Sequence, residues 1–269
     1  MERNNQNING GDLMRKVVPV FFILLLISTP VFADTGRDIM ELVIENQKAD
    51  SSAMDIRMSL IDSRGNESTR RVQMLTLNED GLTKTITLFL EPANIKNTRF
   101  LTVENTDRAD DQWIYLPSLR KVRRIAAAER DGSFMGSDFY YSDMSAGDID
   151  DSEYIVAGEE KLAGKNCWVV EAVPDAGSDS SYGRIVSWVD QETYLTMKVE
   201  FYDEDGRTLL KELTMEGPRQ IDGRWSAEKT IMLTIESDHR TVLEMRQVKY
   251  DIPINPGYFT TNFLQTGRP

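Results

Sequence analysis

This sequence predicts a mainly β fold with few helices, an antiparallel meander that curls on itself, and three observations predict it. Apolar and polar side chains alternate through run after run, the mark of strands with one covered face. Asp205-Gly206 and Asp222-Gly223 both stand between such runs, and an Asp-Gly pair in that setting is a strong hairpin signal. No helical periodicity separates consecutive hairpins, so neighbours in sequence pair in space. A sheet of this length must curl or close, because flat open sheets of many strands are rare. Curled with one apolar face inward, it makes a container.

The elements follow in order. Residues 14–33, MRKVVPVFFILLLISTPVFA, read as a secretory signal. Arg15 and Lys16 form the charged region, residues 17–27 the apolar core, and Val31-Phe32-Ala33 the cleavage site. The apolar run is short for a membrane span, which needs about 20 residues, and Pro19 and Pro30 break it. No cysteine follows it, so the processed chain is not itself a lipoprotein. Met14 is a candidate start, since residues 1–13 add nothing a signal needs. The expected division is residues 1–33 as signal and residues 34–269 as one exported β domain.

Residues 35–46 then carry helical spacing, with Ile39, Met40, Val43 and Ile44 on one face, Thr35 as cap and Asp38 as its acidic partner. Strands follow. Ile56, Met58 and Leu60 alternate with Arg57 and Ser59, and Ser63-Arg64-Gly65-Asn66 supplies a turn. Residues 74–77 lead to a turn at Glu79-Asp80-Gly81, and Ile86, Leu88 and Leu90 alternate with Thr85, Thr87 and Phe89 up to Pro92. Leu195, Met197, Val199 and Phe201 form another run, residues 225–236 another, and residues 242–250 the last, before a Pro-rich tail at residues 252–263. If the alternation sets the faces, Met58, Leu60, Ile86, Leu88, Leu90, Met197, Val199 and Phe201 line the concave side. Either they line a cavity or they pack as an ordinary core against the N-terminal helix. Methionines on strands suit a surface that adapts to varied acyl chains.

Residues 107–144 are unlike the rest. Trp113-Ile114-Tyr115-Leu116 is a short strand closed by Pro117. Arg120, Lys121, Arg123 and Arg124 then stand beside apolar positions, suited to docking an acidic partner or a lipid headgroup, or to guarding an edge strand against aggregation. Phe134, Met135, Phe139, Tyr140 and Met144 follow in a Gly-punctuated segment, either a lid over the mouth of the sheet with Gly132 and Gly136 as hinges, or a loop helix closing the core.

Three pieces of this stretch resemble the outer-membrane lipoprotein-sorting (LolA-like) family, in its branch associated with membrane transporters. They are Asp111-Gln112-Trp113-Ile114-Tyr115-Leu116-Pro117, Leu119-Arg120-Lys121-Val122-Arg123-Arg124-Ile125 and Ser133-Phe134-Met135-Gly136-Ser137-Asp138-Phe139. The resemblance implies an incomplete, half-open antiparallel β-barrel with an N-terminal helix, a lid on its concave face, and a cavity that holds lipid or the acyl chains of lipoproteins on the way to the outer membrane. It implies as partner a resistance-nodulation-division type exporter or an outer-membrane acceptor. In the better-known sorting chaperone of the family an arginine on an inner strand receives the cargo; the sequence alone matches no single arginine to that role.

Charge and chemistry agree with a carrier. Of 31 Lys and Arg against 44 Asp and Glu, residues 1–33 hold Arg3, Arg15, Lys16, Glu2 and Asp12, so the remainder carries a net charge of −14. Nucleic acid, which demands a dominant basic surface, is excluded as a partner. Cys167, the single cysteine, sits in an apolar run and reads as a small buried hydrophobe. His239, the single histidine, reads as part of a hairpin turn. There is no Gly-x-Ser-x-Gly elbow and no histidine cluster for a metal; residues 148–153 are acidic but lack the order of a calcium loop. The expectation is a monomeric non-enzyme without cofactor or metal. The alternative is a periplasmic adaptor of a resistance-nodulation-division export system, its sheet filled by its own side chains, that docks by the basic strand and binds no lipid.

Overall fold

The computed structural model describes residues 1–2, 35–106, 108–145, 148–176, 178 and 180–269; the expected signal lies outside them. Helix α1 is Gly36–Gln47. The Thr35 hydroxyl accepts from the Asp38 N–H at 3.2 Å and the Asp38 carboxylate accepts from the Thr35 N–H at 2.9 Å, so each end of the cap satisfies the other.

Strands follow as β1 (Ser51–Ile61), β2 (Glu67–Glu79), β3 (Leu82–Glu91), β4 (Arg99–Val103), β5 (Asp111–Leu116) and β6 (Lys121–Arg124). After a segment of short 3-10 turns come β7 (Ser152–Leu162), β8 (Lys165–Pro174), β9 (Arg184–Asp190), β10 (Thr196–Tyr202), β11 (Leu209–Ile221), β12 (Arg224–Thr234) and β13 (His239–Tyr250). The chain ends in a 3-10 turn, Pro256–Phe259, and helix α2, Thr261–Thr266. All 13 strands make one antiparallel sheet in the order β6-β5-β4-β3-β2-β1-β13-β12-β11-β10-β9-β8-β7. The first and last strands therefore pair at its centre, and β6 and β7 are its free edges. It is an open barrel.

The register assigns the faces. On the inner face Val72 pairs with Ile56 and Phe89, and Ile114 with Phe100. These join Met58, Leu60, Leu213 and Met232 in a cluster closed from above by Phe134, Phe139 and Tyr141, which lie between β6 and β7 in sequence. Helix α1 lays Ile39 and Val43 on Val170 and Val189. Each such fully buried aliphatic contributes about 1.5–3 kcal/mol.

The outer face of β2–β5 is apolar as well. Leu75, Ile86 and Leu101 are buried there beneath Phe259, Phe263 and Leu264. The residues expected as a plain tail thus form a second cover. Thr260 caps α2 through the Phe263 N–H at 3.0 Å. Gly267 ends it at φ 70°, where a Cβ would stand 2.6 Å from Arg99 Nη2.

This cover corrects part of the expected lining. Ile86 and Leu88 belong to the outer cluster, and β3 turns Thr83, Thr85, Thr87 and Phe89 inward instead. Leu90 falls at a bulge, since Arg71 pairs with Glu91 and Val72 with Phe89. Met197 falls at a bulge, between Thr196 and Lys198, in a third cluster that it shares with Cys167, Trp188 and Leu195 and against which Met215 and Trp225 pack.

Candidate functional site

The inner face has a covered half and an open half. In the covered half, Met58 and Leu60 are buried, and Val199 and Phe201 pack on the same cluster. The lid supplies rings: Phe134 lies 4.9 Å from Phe100 and meets Tyr141 edge-on at 5.6 Å. Met135 and Met144 pack against this cluster, and Tyr140 stacks on Tyr182 at 5.9 Å. The five expected lid residues are thus together on the inner side. Gly136 takes φ 74°, which a turn this tight demands.

Polar contacts hold the lid down. Arg70, on β2 opposite Met58, donates from Nη1 to the Met135 carbonyl at 2.7 Å. The buried Asp138 carboxylate accepts from the hydroxyls of Thr234 and Thr241, at 2.5 and 2.6 Å, and lies 2.8 Å from His239 Nδ1. His239, expected in the turn, is the first residue of β13 and a lid contact. Asp143 accepts from the Tyr182 hydroxyl at 2.9 Å and from the Tyr140 N–H at 2.7 Å. Beneath it Lys211, fully buried, places Nζ 3.5 Å from Asp143 and 2.9 Å from the centroid of the Tyr140 ring. Burial pushes the Lys211 ammonium down to about 8, partly opposed by Asp143, and burial beside Asp143 raises the Tyr182 phenol.

The open half is a cavity of about 610 Å³ between the end of α1 and the sheet. Its apolar lining includes Ile44, Met54, Leu195, Met215, Trp225 and Met245. Met54 continues the alternation of Ile56, Met58 and Leu60 one step back along the same face of β1. Met215, Trp225 and Met245 come from strands whose facing depends on pairing partners far away in sequence.

The basic stretch forms edge strand β6 and the turn before it. Arg123 holds Glu129 through two bonds of 2.7 and 2.9 Å, and Arg124 shares the Asp111 carboxylate with Arg108. Arg108 first, then Arg124, holds the Asp111 carboxyl down at about 2, against the opposing effect of burial. Arg120, at φ 50°, and Lys121 are exposed.

A family model described as an uncharacterised protein matches residues 81–266. No curated protein matches the chain. Among solved structures, the chain is similar to a putative outer-membrane lipoprotein-sorting protein domain from Vibrio parahaemolyticus, at 32% identity over 86% of this chain and 98% of that one, with a TM-score of 0.80. It is similar to a DUF1329 family protein from Desulfovibrio piger at 28% identity over 86% of this chain and 98% of that one, TM-score 0.82. A LolA superfamily protein from Nitrosomonas europaea, 22% identical over 86% of this chain and all of its own, shares the fold at a TM-score of 0.69.

Proposed function

The chain belongs to the outer-membrane lipoprotein-sorting (LolA-like) family, and from that membership we propose that it is a periplasmic carrier that takes lipid or the acyl chains of lipoproteins into its concave cavity and passes them toward the outer membrane. The observation that carries the reading is the cavity beside α1. Its volume of about 610 Å³ lies within the roughly 300–1,000 Å³ usual for small-molecule sites. Met54, Met215 and Met245 line it together with Trp225, and flexible thioethers conform to chains of differing length and branching.

Binding is partition. Each methylene that leaves water is worth ~0.8 kcal/mol, so a long chain is held firmly with no group dedicated to its recognition. The lid sets the capacity. While Phe134, Phe139 and Tyr141 rest on Met58, Leu60 and Phe201, they occupy the half of the inner face that further cargo would use. Lifting them breaks the Arg70 and Asp138 contacts, so loading and release are steps at the lid. A resistance-nodulation-division type exporter or an outer-membrane acceptor is the proposed partner. With Arg123 and Arg124 engaged inside the protein, Arg120 and Lys121 are the cations left to meet it.

Titration with a naturally fluorescent polyene fatty acid tests the reading. Saturable enhancement that unlabelled palmitate reverses is the expected result. No enhancement at micromolar protein contradicts it.

A further inference from the structure

The open half of the inner face is not uniformly apolar. Across five adjacent strands one inner row reads Ser52, Thr76, Thr85, Thr102, Gln112, each paired directly with the next. The neighbouring outer row, Ala53, Leu75, Ile86, Leu101, Trp113, is apolar throughout. At this row the strands turn polar side chains to the concavity, while further along the same face they carry the apolar Val72, Phe89, Phe100 and Ile114.

Hydroxyls on a covered surface cost desolvation unless partners satisfy them. Here one acceptor of the row, Gln112 Oε1, is left over. Ser52 and Thr102 are each 5% exposed, and Thr76 and Thr85 approach only to 3.4 Å. Gln112, with no exposed surface, donates to the Tyr141 carbonyl and to Ser145, yet its Oε1 has no partner. Valine would match the threonines in shape, so it is the hydroxyls at a cavity wall that set this row apart.

A cavity of about 200 Å³ lies along the row: Thr83, Thr85, Thr87 and Thr102 form one wall, Met74, Phe100 and Met144 add apolar surface, and Asp110, Asp143 and Ser145 complete it. Thr83 also lines the methionine cavity, so the two adjoin. We propose that this hydroxyl-lined pocket is a headgroup subsite for an uncharged polyhydroxy head, a glycerol or sugar, on an amphiphile whose chain lies among Met54, Met215 and Met245. The inference rests on the carrier reading and names its cargo class.

The chemistry selects the head. A threonine hydroxyl both donates and accepts, and so does each hydroxyl of a polyol. A phosphate head would meet the Asp143 and Asp110 carboxylates, and no lysine or arginine lines the pocket among the described residues. A cationic head gains little, because Lys211 already stands 3.5 Å from Asp143 and Asp110 is itself engaged.

The test is displacement of the fluorescent fatty acid from the processed full-length protein by two amphiphiles with one myristoyl chain: monomyristoylglycerol and myristoyl lysophosphatidic acid. The glycerol head is expected to bind ~tenfold tighter. In the double variant T85V/T102V that ratio should fall to about twofold, and in T85S/T102S, which keeps the hydroxyls, it should persist. Glycerol without a chain should not compete. Equal affinity for the two heads, a ratio that survives in T85V/T102V, or competition by free glycerol overturns the subsite and leaves the carrier reading standing. Failure of every amphiphile to bind overturns both.

Discussion

Arg70 Nη1 reaches the Met135 carbonyl at 2.7 Å and so ties an inner strand to the lid that lies over it. The guanidinium is held inside the sheet opposite Met58, where a charged donor bonded to a carbonyl stabilises more than a neutral one.

Replacing Arg70 by Leu should release the lid before it unfolds the sheet. Losing a charge-assisted bond costs about 1.5–3 kcal/mol locally, enough to raise amide exchange in residues 133–145 more than tenfold while β2 amides stay protected. Hydrogen exchange read by mass spectrometry checks this. Equal acceleration in both segments would mean that Arg70 supports the sheet and not the lid.

Met54 and Leu264 separate binding from stability. Met54→Glu puts a carboxylate where a chain would lie, at a cavity wall that water already reaches. Fatty-acid affinity should fall at least ~tenfold with little change in the urea midpoint. Leu264→Ala empties part of the outer cluster and should cost about 2–5 kcal/mol with affinity kept at temperatures where the protein stays folded.

Lys211 gives a stability that rises with alkali. Its folded pKa, about 8, lies below the ordinary value of 10.5. Between those values the folded state binds fewer protons than the unfolded one, so stability increases with pH there, by up to about 3 kcal/mol. The groups facing it are Asp143, Tyr140, Tyr182 and, at longer range, Asp138. Both tyrosines have raised pKa values and turn the trend downward above pH ~10. Urea midpoints from pH 7.5 to 10 should therefore climb in the wild type more than in Lys211→Met. Parallel profiles would refute the assignment.

Asp111 acts at the acid end. Its folded pKa of about 2 lies below the ordinary 3.8, so its contribution is complete above pH ~4 and is lost as pH falls toward 2. The exposed ends of Arg108 and Arg124 limit this to about 1–2 kcal/mol. Asp111→Asn should lower stability at pH 6, where the carboxylate acts, and leave stability at pH 2 unchanged. A loss of equal size at both pH values would point to packing instead of charge.

The elements legible in the sequence were the locally determined ones. Thr35 and Asp38 sit three residues apart and cap α1 whatever else the chain does, and Asp222-Gly223 turns β11 into β12. Which face of a strand looks inward is not local. Residues 85–88 alternate threonine with aliphatic, and the rule that a half-buried sheet has one apolar face points Ile86 and Leu88 to the concavity. Phe259, Phe263 and Leu264 supply a second covered face, which turns Ile86 and Leu88 outward. The lid was visible as a cluster of aromatics, whereas its fastening was not. Asp138 meets His239 and Thr241 only because β13 returns to the centre of the sheet.

The most direct test of the central claim is native mass spectrometry of the protein purified from a periplasmic extract without detergent, followed by organic extraction of whatever it carries. The account predicts added mass that resolves into acylated species and disappears in Met54→Glu. A clean unliganded mass in the wild type, unchanged after incubation with fatty acid or monoacylglycerol, would contradict it.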